Sequence, residues 1–163
     1  MLRIVPAVSK ETITEASILF REYAAALTVD LTFQDFQKEL ASLPGEYAPP
    51  EGRLLIASIE PAVGSNSASG VAGCIGLRKI DAETCEMKRL FVRTDFRGMG
   101  VGRALALGVI SAAREVGYLR MRLDTLPEMS QAQALYFSLG FKEIEPYRFN
   151  PIPGARFLEL ALR

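Results

Sequence analysis

Apolar and polar positions along the chain follow two rhythms, one typical of strands and the other typical of helices. Short apolar or alternating runs between turn residues indicate strands, whereas apolar positions that recur every three or four residues indicate helices. The predicted strands are Leu2–Val5, Arg53–Glu60, Val71–Ile80, Cys85–Arg93, Leu119–Asp124, Phe141–Ile144 and Ala155–Leu162. The predicted helices are Glu11–Leu27, a segment capped by Thr32 with Phe33, Phe36 and Leu40 on one side, Val101–Val116, and Ser130–Leu139.

The order of these elements predicts one domain that spans residues 1–163. No internal repeat and no linker divides the sequence, and a chain of this length buries a sizeable core. Predicted strands and helices follow one another along most of the chain. We therefore expect an α/β protein with one mixed sheet and helices on both faces.

Composition narrows the classes of partner. The 19 basic residues equal the 19 acidic ones, so the net charge favours neither nucleic acid nor an anionic membrane as a partner. The first residues, MLRIVPAVSKETITEAS, contain no apolar run long enough for a signal peptide or a membrane span. Cys74 and Cys85 lie in apolar stretches and are expected to be free, buried thiols. These features together predict a cytoplasmic protein.

The chain contains no histidine. This absence removes the most common general base, the Ser/His and Cys/His nucleophile arrangements, and most transition-metal sites. Any proton transfer then depends on carboxylates, Tyr, Lys, Cys, backbone groups or water, and we expect no bound metal.

The stretch FVRTDFRGMGVGRAL places Gly98, Gly100 and Gly102 between a predicted strand and a helix that begins at Val101. The first N–H groups of a helix have no partner within it, and the helix dipole adds partial positive charge there. Glycines let a phosphate approach these groups, so the pattern predicts a phosphate site; the alternative is a tight turn. The Rossmann motif fails because Arg103 stands where its third glycine belongs, and no Walker motif follows.

Two motifs carry a resemblance to a known family. One is R-x-x-G-x-G, formed by Arg97, Gly100 and Gly102, and the other is the stretch AQALYFSLGF about forty residues later. In this order, and with strands on either side, they resemble the GNAT superfamily of acyl-CoA-dependent N-acyltransferases. The closing EPY and NPIPGA segments are similar to a bacterial subgroup of these small proteins.

The resemblance implies a GNAT fold, with a mixed and mostly antiparallel sheet of six to seven strands, and acetyl-CoA as the co-substrate. Two strands are expected to separate, between 86–93 and 119–124, and the pantetheine arm is expected to pair with one of them as an added strand. The backbone positions implied for pantetheine are Leu90, Phe91 and Val92. Those implied for the pyrophosphate are Arg97, Gly98, Met99, Gly100, Val101, Gly102 and Arg103.

Acetyl transfer to an amine needs a base for the ammonium and an acid for the departing thiolate. The resemblance implies Glu86 as the general base, and strand alternation places it on the face of Lys88, Leu90 and Val92. A carboxylate paired with Lys88 or Arg78, or a chain of water molecules in place of a base, is the alternative. Tyr136 is the implied general acid; the alternative is a packed aromatic.

The resemblance fails at one position. Relatives usually carry an asparagine seven residues before the catalytic tyrosine, and this chain has Met129 there, with Ser130 and Gln131 as the candidate replacements. Tyr147, Arg148 and Asn150 are expected near the acceptor amine, and Arg148 suits an acceptor that carries a carboxylate.

The sequence therefore predicts an N-acetyltransferase that moves acetyl from acetyl-CoA to an amine directly, in a ternary complex. A non-catalytic acyl-CoA sensor is the alternative outside the enzyme class, and a protein or peptide acceptor is the alternative within it. The open strand edges of such a fold also allow a homodimer.

Overall fold

Seven strands and four α-helices follow one another in the order that the sequence pattern predicts. The computed structural model describes residues 1–163, except for the side chain of Phe33, so the predicted position of that ring lies outside the described part. The strands are β1 (Leu2–Pro6), β2 (Arg53–Ile59), β3 (Gly70–Lys79), β4 (Thr84–Val92), β5 (Arg120–Thr125), β6 (Lys142–Ile144) and β7 (Arg156–Ala161). The helices are α1 (Lys10–Ala26), α2 (Phe36–Ser42), α3 (Val101–Val116) and α4 (Ser130–Ser138), with single 3-10 turns at Thr32–Gln34, Gly45–Tyr47 and Thr94–Phe96.

The second predicted helix begins later than expected. Thr32 starts a 3-10 turn, and its N–H donates to the Asp30 carboxylate at 2.9 Å. Asp35 then adopts a left-handed conformation with φ 53°, and α2 begins only at Phe36. A residue in this conformation interrupts right-handed helix geometry, which explains the break between the two segments.

The strands form one mixed sheet in the order β1-β2-β3-β4-β5-β7-β6. Strands β4 and β5 pair in parallel, and the other neighbouring pairs of the described sheet are antiparallel. The predicted mixed and mostly antiparallel sheet of six to seven strands is therefore confirmed.

Apolar side chains cover both faces of the sheet, because each face carries helices. On one face, residues of α3 and α4 such as Leu105, Val109 and Tyr136 pack against strand residues such as Ile75 and Met121. On the other face, a smaller core forms between the strands and the first two helices, with Leu19, Phe20, Phe36, Tyr47 and Ile56.

Strand β4 contains a bulge at Arg89. Cys74 of β3 is opposite Phe91, but Gly76 is opposite Lys88, so β4 uses one more residue than β3 over this stretch. Arg89 adopts φ 61°, which is unusual for a residue with a side chain.

The bulge changes which side chains share a face. Met87, Leu90 and Val92 pack in the core beneath α3, whereas Phe91 packs on the face of α1 and α2. The predicted grouping of Glu86 with Leu90 and Val92 is therefore wrong, because the extra residue reverses the alternation beyond Lys88.

Strands β4 and β5 pair over a short distance and then separate. Their register runs from Thr84 opposite Arg120 to Glu86 opposite Arg122, and no later pair is present in the described strands. Strand β5 continues beside β7 as far as Thr125. The predicted separation of these two strands is thus observed, and it begins directly after Glu86.

Two further predictions concern single features. Cys74 and Cys85 are buried and unpaired, as expected. Among the described residues, no helix has the length and apolar character needed to cross a bilayer.

Candidate active site

A cleft of about 680 Å³ opens where β4 and β5 separate. Its walls come from β4, the end of β5, the start of α3, the start of α4 and the end of α1. Small-molecule sites are commonly clefts of roughly this volume. The separation of the two strands therefore creates a cleft large enough for a small-molecule ligand.

The two long walls of the cleft are joined by a hydrogen bond between loops. The Thr28 hydroxyl, just beyond α1, donates to the Glu128 carboxylate, which precedes α4, at 2.6 Å. Leu27 and Glu128 both line the cleft, so this contact closes one side of it.

The glycine-rich turn lies at one end of the cleft, at the N-terminus of α3. Gly98 and Gly100 both have φ 79°, a conformation that favours glycine, and Gly100 is the N-cap of the helix. No side chain of the described residues caps this end, so the N–H groups of the first turn are left for another acceptor. Together with the helix dipole, these groups form an anion-binding surface.

Beside this turn, β4 has an open edge. Leu90, Phe91 and Val92 line the cleft beyond the last residue that pairs with β5. An extended ligand with amide groups can add to such an edge as a further strand.

Tyr136 of α4 reaches the cleft from the opposite wall. Its side chain is buried at 7% exposure, and its ring packs against Phe141 with the centroids 5.8 Å apart. Among the hydrogen bonds of the described residues, none uses its hydroxyl, while the residue lines the cleft. Burial raises the pKa of Tyr136 above its usual value, and the nearby Tyr23 and Asp124 add to this, so the hydroxyl is protonated at neutral pH.

Glu86 occupies a different position from the one expected of a residue that contacts substrate. Its side chain is fully buried, and its carboxylate pairs with Arg78 at 2.8 Å and with Arg148 at 3.0 Å. The Tyr147 hydroxyl also donates to it at 2.6 Å. Glu86 is absent from the cleft lining of the described residues, so the pairing with Arg78 that the sequence left open is present.

Met129 lines the cleft at the position where the resemblance implies an asparagine, and Ser130 and Gln131 line it beside Met129. The Thr125 hydroxyl lies 3.7 Å from the Met129 sulfur. Both neighbours therefore remain available to supply polar contacts that the thioether lacks.

The floor of the cleft carries two buried charges that the sequence reasoning did not assign to the site. Lys88 of β4 and Asp124 of β5 are 3% and 6% exposed, and their charged atoms lie 3.8 Å apart. Lys88 donates to the Gln34 side chain at 3.0 Å, and Asn150 donates to Asp124 at 3.0 Å. All four residues line the cleft.

Arg89, the bulged residue, lies beside this pair but has its own counter-charge. Its guanidinium donates twice to Glu39, at 2.8 and 3.1 Å, and once to Gln34 at 2.7 Å. Gln34 therefore accepts from both Lys88 and Arg89, and the Arg89 charge is neutralised by Glu39.

Comparison with known proteins agrees with this geometry. The model of the acetyltransferase (GNAT) family matches residues 18–141. The chain belongs to the GNAT acetyltransferase family. An uncharacterised N-acetyltransferase of Schizosaccharomyces pombe is 37% identical over 93% of this chain and 90% of its own length. Another, from Dictyostelium discoideum, is 32% identical over 94% of this chain and 96% of its own length.

A solved structure shows the same fold at low sequence identity. The yncA protein of Salmonella typhimurium, solved with its cofactor acetyl-CoA, has a TM-score of 0.69 and 18% identity, and the match covers 100% of this chain and 95% of that chain. The predicted family, fold and activity class, an acetyl-CoA-dependent N-acetyltransferase, are thus confirmed.

This GNAT acetyltransferase brings most of the predicted cofactor residues into one cleft. The exceptions among the described residues are Met99 and Arg103, which lie outside its lining. Met99 is 41% exposed, and Arg103 is an exposed residue of α3 that donates to Ser138 at 3.4 Å. The residues that do line the cleft are Leu90, Phe91, Val92, Arg97, Gly98, Gly100, Val101 and Gly102.

The three residues expected near the acceptor do not all line the cleft. Asn150 lines the cleft, whereas Tyr147 and Arg148 contact Glu86 and lie outside the described lining.

A sequence signal for Lys88 and Asp124, which the sequence reasoning did not assign to the site, was present. Both are charged residues within predicted strands, and buried charges are usually functional or paired.

Lys88 gives a pH-dependent contribution to stability. Burial lowers the pKa of Lys88 from 10.5 to about 8, although Asp124 and Glu86 oppose the shift. Between these values the unfolded chain binds a proton that the folded chain releases, so stability rises with pH across this window. Relative to a Lys88→Met variant, we expect the free energy of unfolding of the wild type to rise by up to about 3 kcal/mol between pH 8 and pH 10.5.

Urea unfolding of both proteins across that pH range measures this difference. The control Lys79→Met removes a lysine of the same sheet that is exposed and paired with Glu51. For Lys79→Met we expect the difference in unfolding free energy from the wild type to stay constant with pH. The same constancy for Lys88→Met would contradict the lowered pKa of Lys88.

Proposed function

We propose that this GNAT acetyltransferase moves an acetyl group from acetyl-CoA directly to the nitrogen of an amine, with both substrates bound in the one cleft. The observation that carries the proposal is the meeting of three features in that cleft. They are the uncapped start of α3, the open edge of β4, and the unbonded hydroxyl of Tyr136.

The residues present fit acetyl-CoA. The turn from Arg97 to Arg103 offers backbone N–H groups and a helix dipole to a pyrophosphate. Leu90 to Val92 offer a strand edge to the amide-bearing pantetheine arm. A ligand held at both places directs its thioester toward the floor of the cleft, between β4 and Tyr136.

The chemistry requires two proton movements. Acetyl-CoA supplies an activated acyl carbon; the C–N bond forms as the C–S bond breaks, the nitrogen loses a proton to water in the cleft, and the sulfur gains one. Tyr136 donates the second proton, because its hydroxyl is protonated at neutral pH and free to turn toward the sulfur. The acceptor nitrogen attacks directly, since burial raises the pKa of both cysteine thiols and leaves them poor nucleophiles.

For Glu86 we propose a positioning role. Its contacts with Tyr147 and Arg148 hold the segment that carries Asn150 against the sheet. The general-base role predicted from the sequence stays a prediction. It requires these partners to move, because they surround the carboxylate.

Two further parts of the proposal concern the cellular setting. We place the reaction in the cytoplasm, since Cys74 and Cys85 are unpaired. The unpaired edge of β1 at the end of the sheet suits a homodimer, which remains part of the prediction.

Acetyl-CoA binding is the first test. At about 100 times its Kd, a ligand that binds only the folded chain adds roughly 2.7 kcal/mol of stability, which raises the melting temperature of a domain of this size by about 5–10 °C. We expect this rise with acetyl-CoA, and none with NAD as the control ligand.

A matched pair of variants locates the binding. Gly100→Ala and Gly117→Ala each force a side chain into a positive-φ position at opposite ends of α3, at φ 79° and φ 108°. Each should lower stability by about 1 kcal/mol, but only Gly100→Ala should weaken acetyl-CoA binding, by about 10-fold or more. Equal affinity in the two variants, or no rise with acetyl-CoA in the wild type, would contradict the assigned site.

The role of Tyr136 is tested by Tyr136→Phe. With the best acceptor from an amine screen, we expect kcat for CoA release to fall by about 100-fold, because the proton donor is lost. The melting temperature should stay within about 1 °C, since the hydroxyl has no partner among the described residues. The control Tyr118→Phe removes a hydroxyl that donates to the Glu51 carbonyl at 2.8 Å, and should leave kcat unchanged. A Tyr136→Phe enzyme with more than half of wild-type kcat would refute the acid role.

Glu86→Gln separates the two roles of Glu86. A positioning role predicts a loss of about 3 kcal/mol of stability together with a raised acceptor KM, because Arg148 loses its counter-charge and Arg78 keeps only Glu46. A general-base role predicts instead a kcat lower by about 100-fold or more with the acceptor KM unchanged. The control is Glu159→Gln. Glu159 of β7 pairs with Arg122 of β5, so this change also removes one ion pair.

A further inference from the structure

The floor of the cleft holds a pair of opposite charges that do not hydrogen-bond to each other. The Lys88 ammonium and the Asp124 carboxylate are 3.8 Å apart, which is longer than a hydrogen bond. Their closer partners are neutral amides, Gln34 for Lys88 and Asn150 for Asp124. An ammonium has three donors and a carboxylate accepts several bonds, so each group keeps positions for a further partner.

This pair lies at the reacting end of the cleft. Asp124 is close enough to Tyr136 for its charge to raise the pKa of that phenol, and Lys88 lies two residues before Leu90 on the part of β4 that does not pair with β5. A group bound by Asp124 and Lys88 is therefore placed beside the expected thioester.

The charges around the pair disfavour an acceptor that is a simple cation. Asp124 attracts an ammonium, but any ammonium bound there also lies close to the Lys88 charge. Glu39 does not offset the Lys88 charge, because it already pairs with Arg89. An acceptor that also carries a carboxylate removes the conflict, since it supplies an anion for Lys88 and a cation for Asp124.

We infer that the Lys88–Asp124 pair selects a zwitterionic acceptor, a free α-amino acid or a similar small amine with a carboxylate, by binding its carboxylate at Lys88 and its amino group at Asp124. The inference rests on the proposed acetyl transfer and names the acceptor of that same site. Leu27, Leu31 and Leu126 line the same cleft, so an apolar side chain suits the acceptor. The N-terminus of a peptide does not, because an amide replaces its carboxylate.

Matched acceptors test this selectivity. Leucine, leucinamide and 3-methylbutylamine share one side chain. At the carbon that carries the amine, the first has a carboxylate, the second an amide and the third a hydrogen. Phenylalanine and its two matching analogues give the same comparison with an aromatic side chain. We expect kcat/KM for CoA release to be higher for the amino acids by about 10-fold or more. The amide has the less basic amine and more of it is unprotonated at pH 7.5, so amine reactivity alone favours the amide.

Lys88→Met tests the assignment to this residue. The amino acid KM should rise by about 10-fold, while the KM for 3-methylbutylamine stays the same or falls, so that the preference is lost. Lys79→Met, an exposed lysine of β3, should keep the preference. Thermal stabilisation by acetyl-CoA should persist in both variants, which shows that they are folded and bind the co-substrate.

The remaining outcomes separate this inference from the proposed function. Equal or better use of the amide or the simple amine, or a preference that survives in Lys88→Met, overturns the inference and leaves acetyl transfer in place. Stabilisation by acetyl-CoA without acetylation of any amino acid also overturns the inference. Failure of acetyl-CoA to bind at all overturns the proposed function.

Discussion

The separation of β4 from β5 after a few paired residues is the constraint on which the rest of the site depends. Pairing stops at Glu86 opposite Arg122, whereas β5 remains hydrogen-bonded to β7. The bulge at Arg89 bends β4 and turns the following side chains over. As a result, one strand edge is left without a neighbour in the middle of a seven-stranded sheet, a place where edges are normally satisfied. The cleft, the open edge and the position of Lys88 opposite Asp124 all follow from this local failure of pairing.

Burying charges around such an opening is costly unless each is matched. Arg89 has Glu39, Glu86 has Arg78 and Arg148, and these pairs satisfy most of the buried charge on the α1 face of the sheet. Lys88 and Asp124 are less completely matched, and the low pKa of Lys88 reflects that cost. Incomplete satisfaction of this kind is typical of sites that bind ligands, where a substrate supplies the missing partner.

Features that depend on a short stretch of sequence could be predicted, and those that depend on distant contacts could not. The turn before α3 and the start of the helix at Val101 could be predicted, because the conformation of such a turn depends on adjacent glycines. The bulge at Arg89 was missed, because nothing in the local pattern of β4 marks an extra residue, and the faces of Leu90 and Val92 were therefore assigned wrongly. The proximity of Lys88 and Asp124, whose charged atoms lie 3.8 Å apart, depends on the tertiary arrangement of two strands that are far apart in sequence.

The hydrogen bond from Thr28 to Glu128 has a consequence for access to the cleft. It joins two exposed loops, and no buried residue has to move for it to break. The Thr28 backbone N–H also donates to Glu128, at 3.4 Å, and exposed charge-assisted hydrogen bonds contribute on the order of 1–2 kcal/mol each, far less than the unfolding of a domain. Thermal motion at ordinary temperature is therefore enough to release this contact many times a second. This side of the cleft can therefore open without the unfolding of either wall.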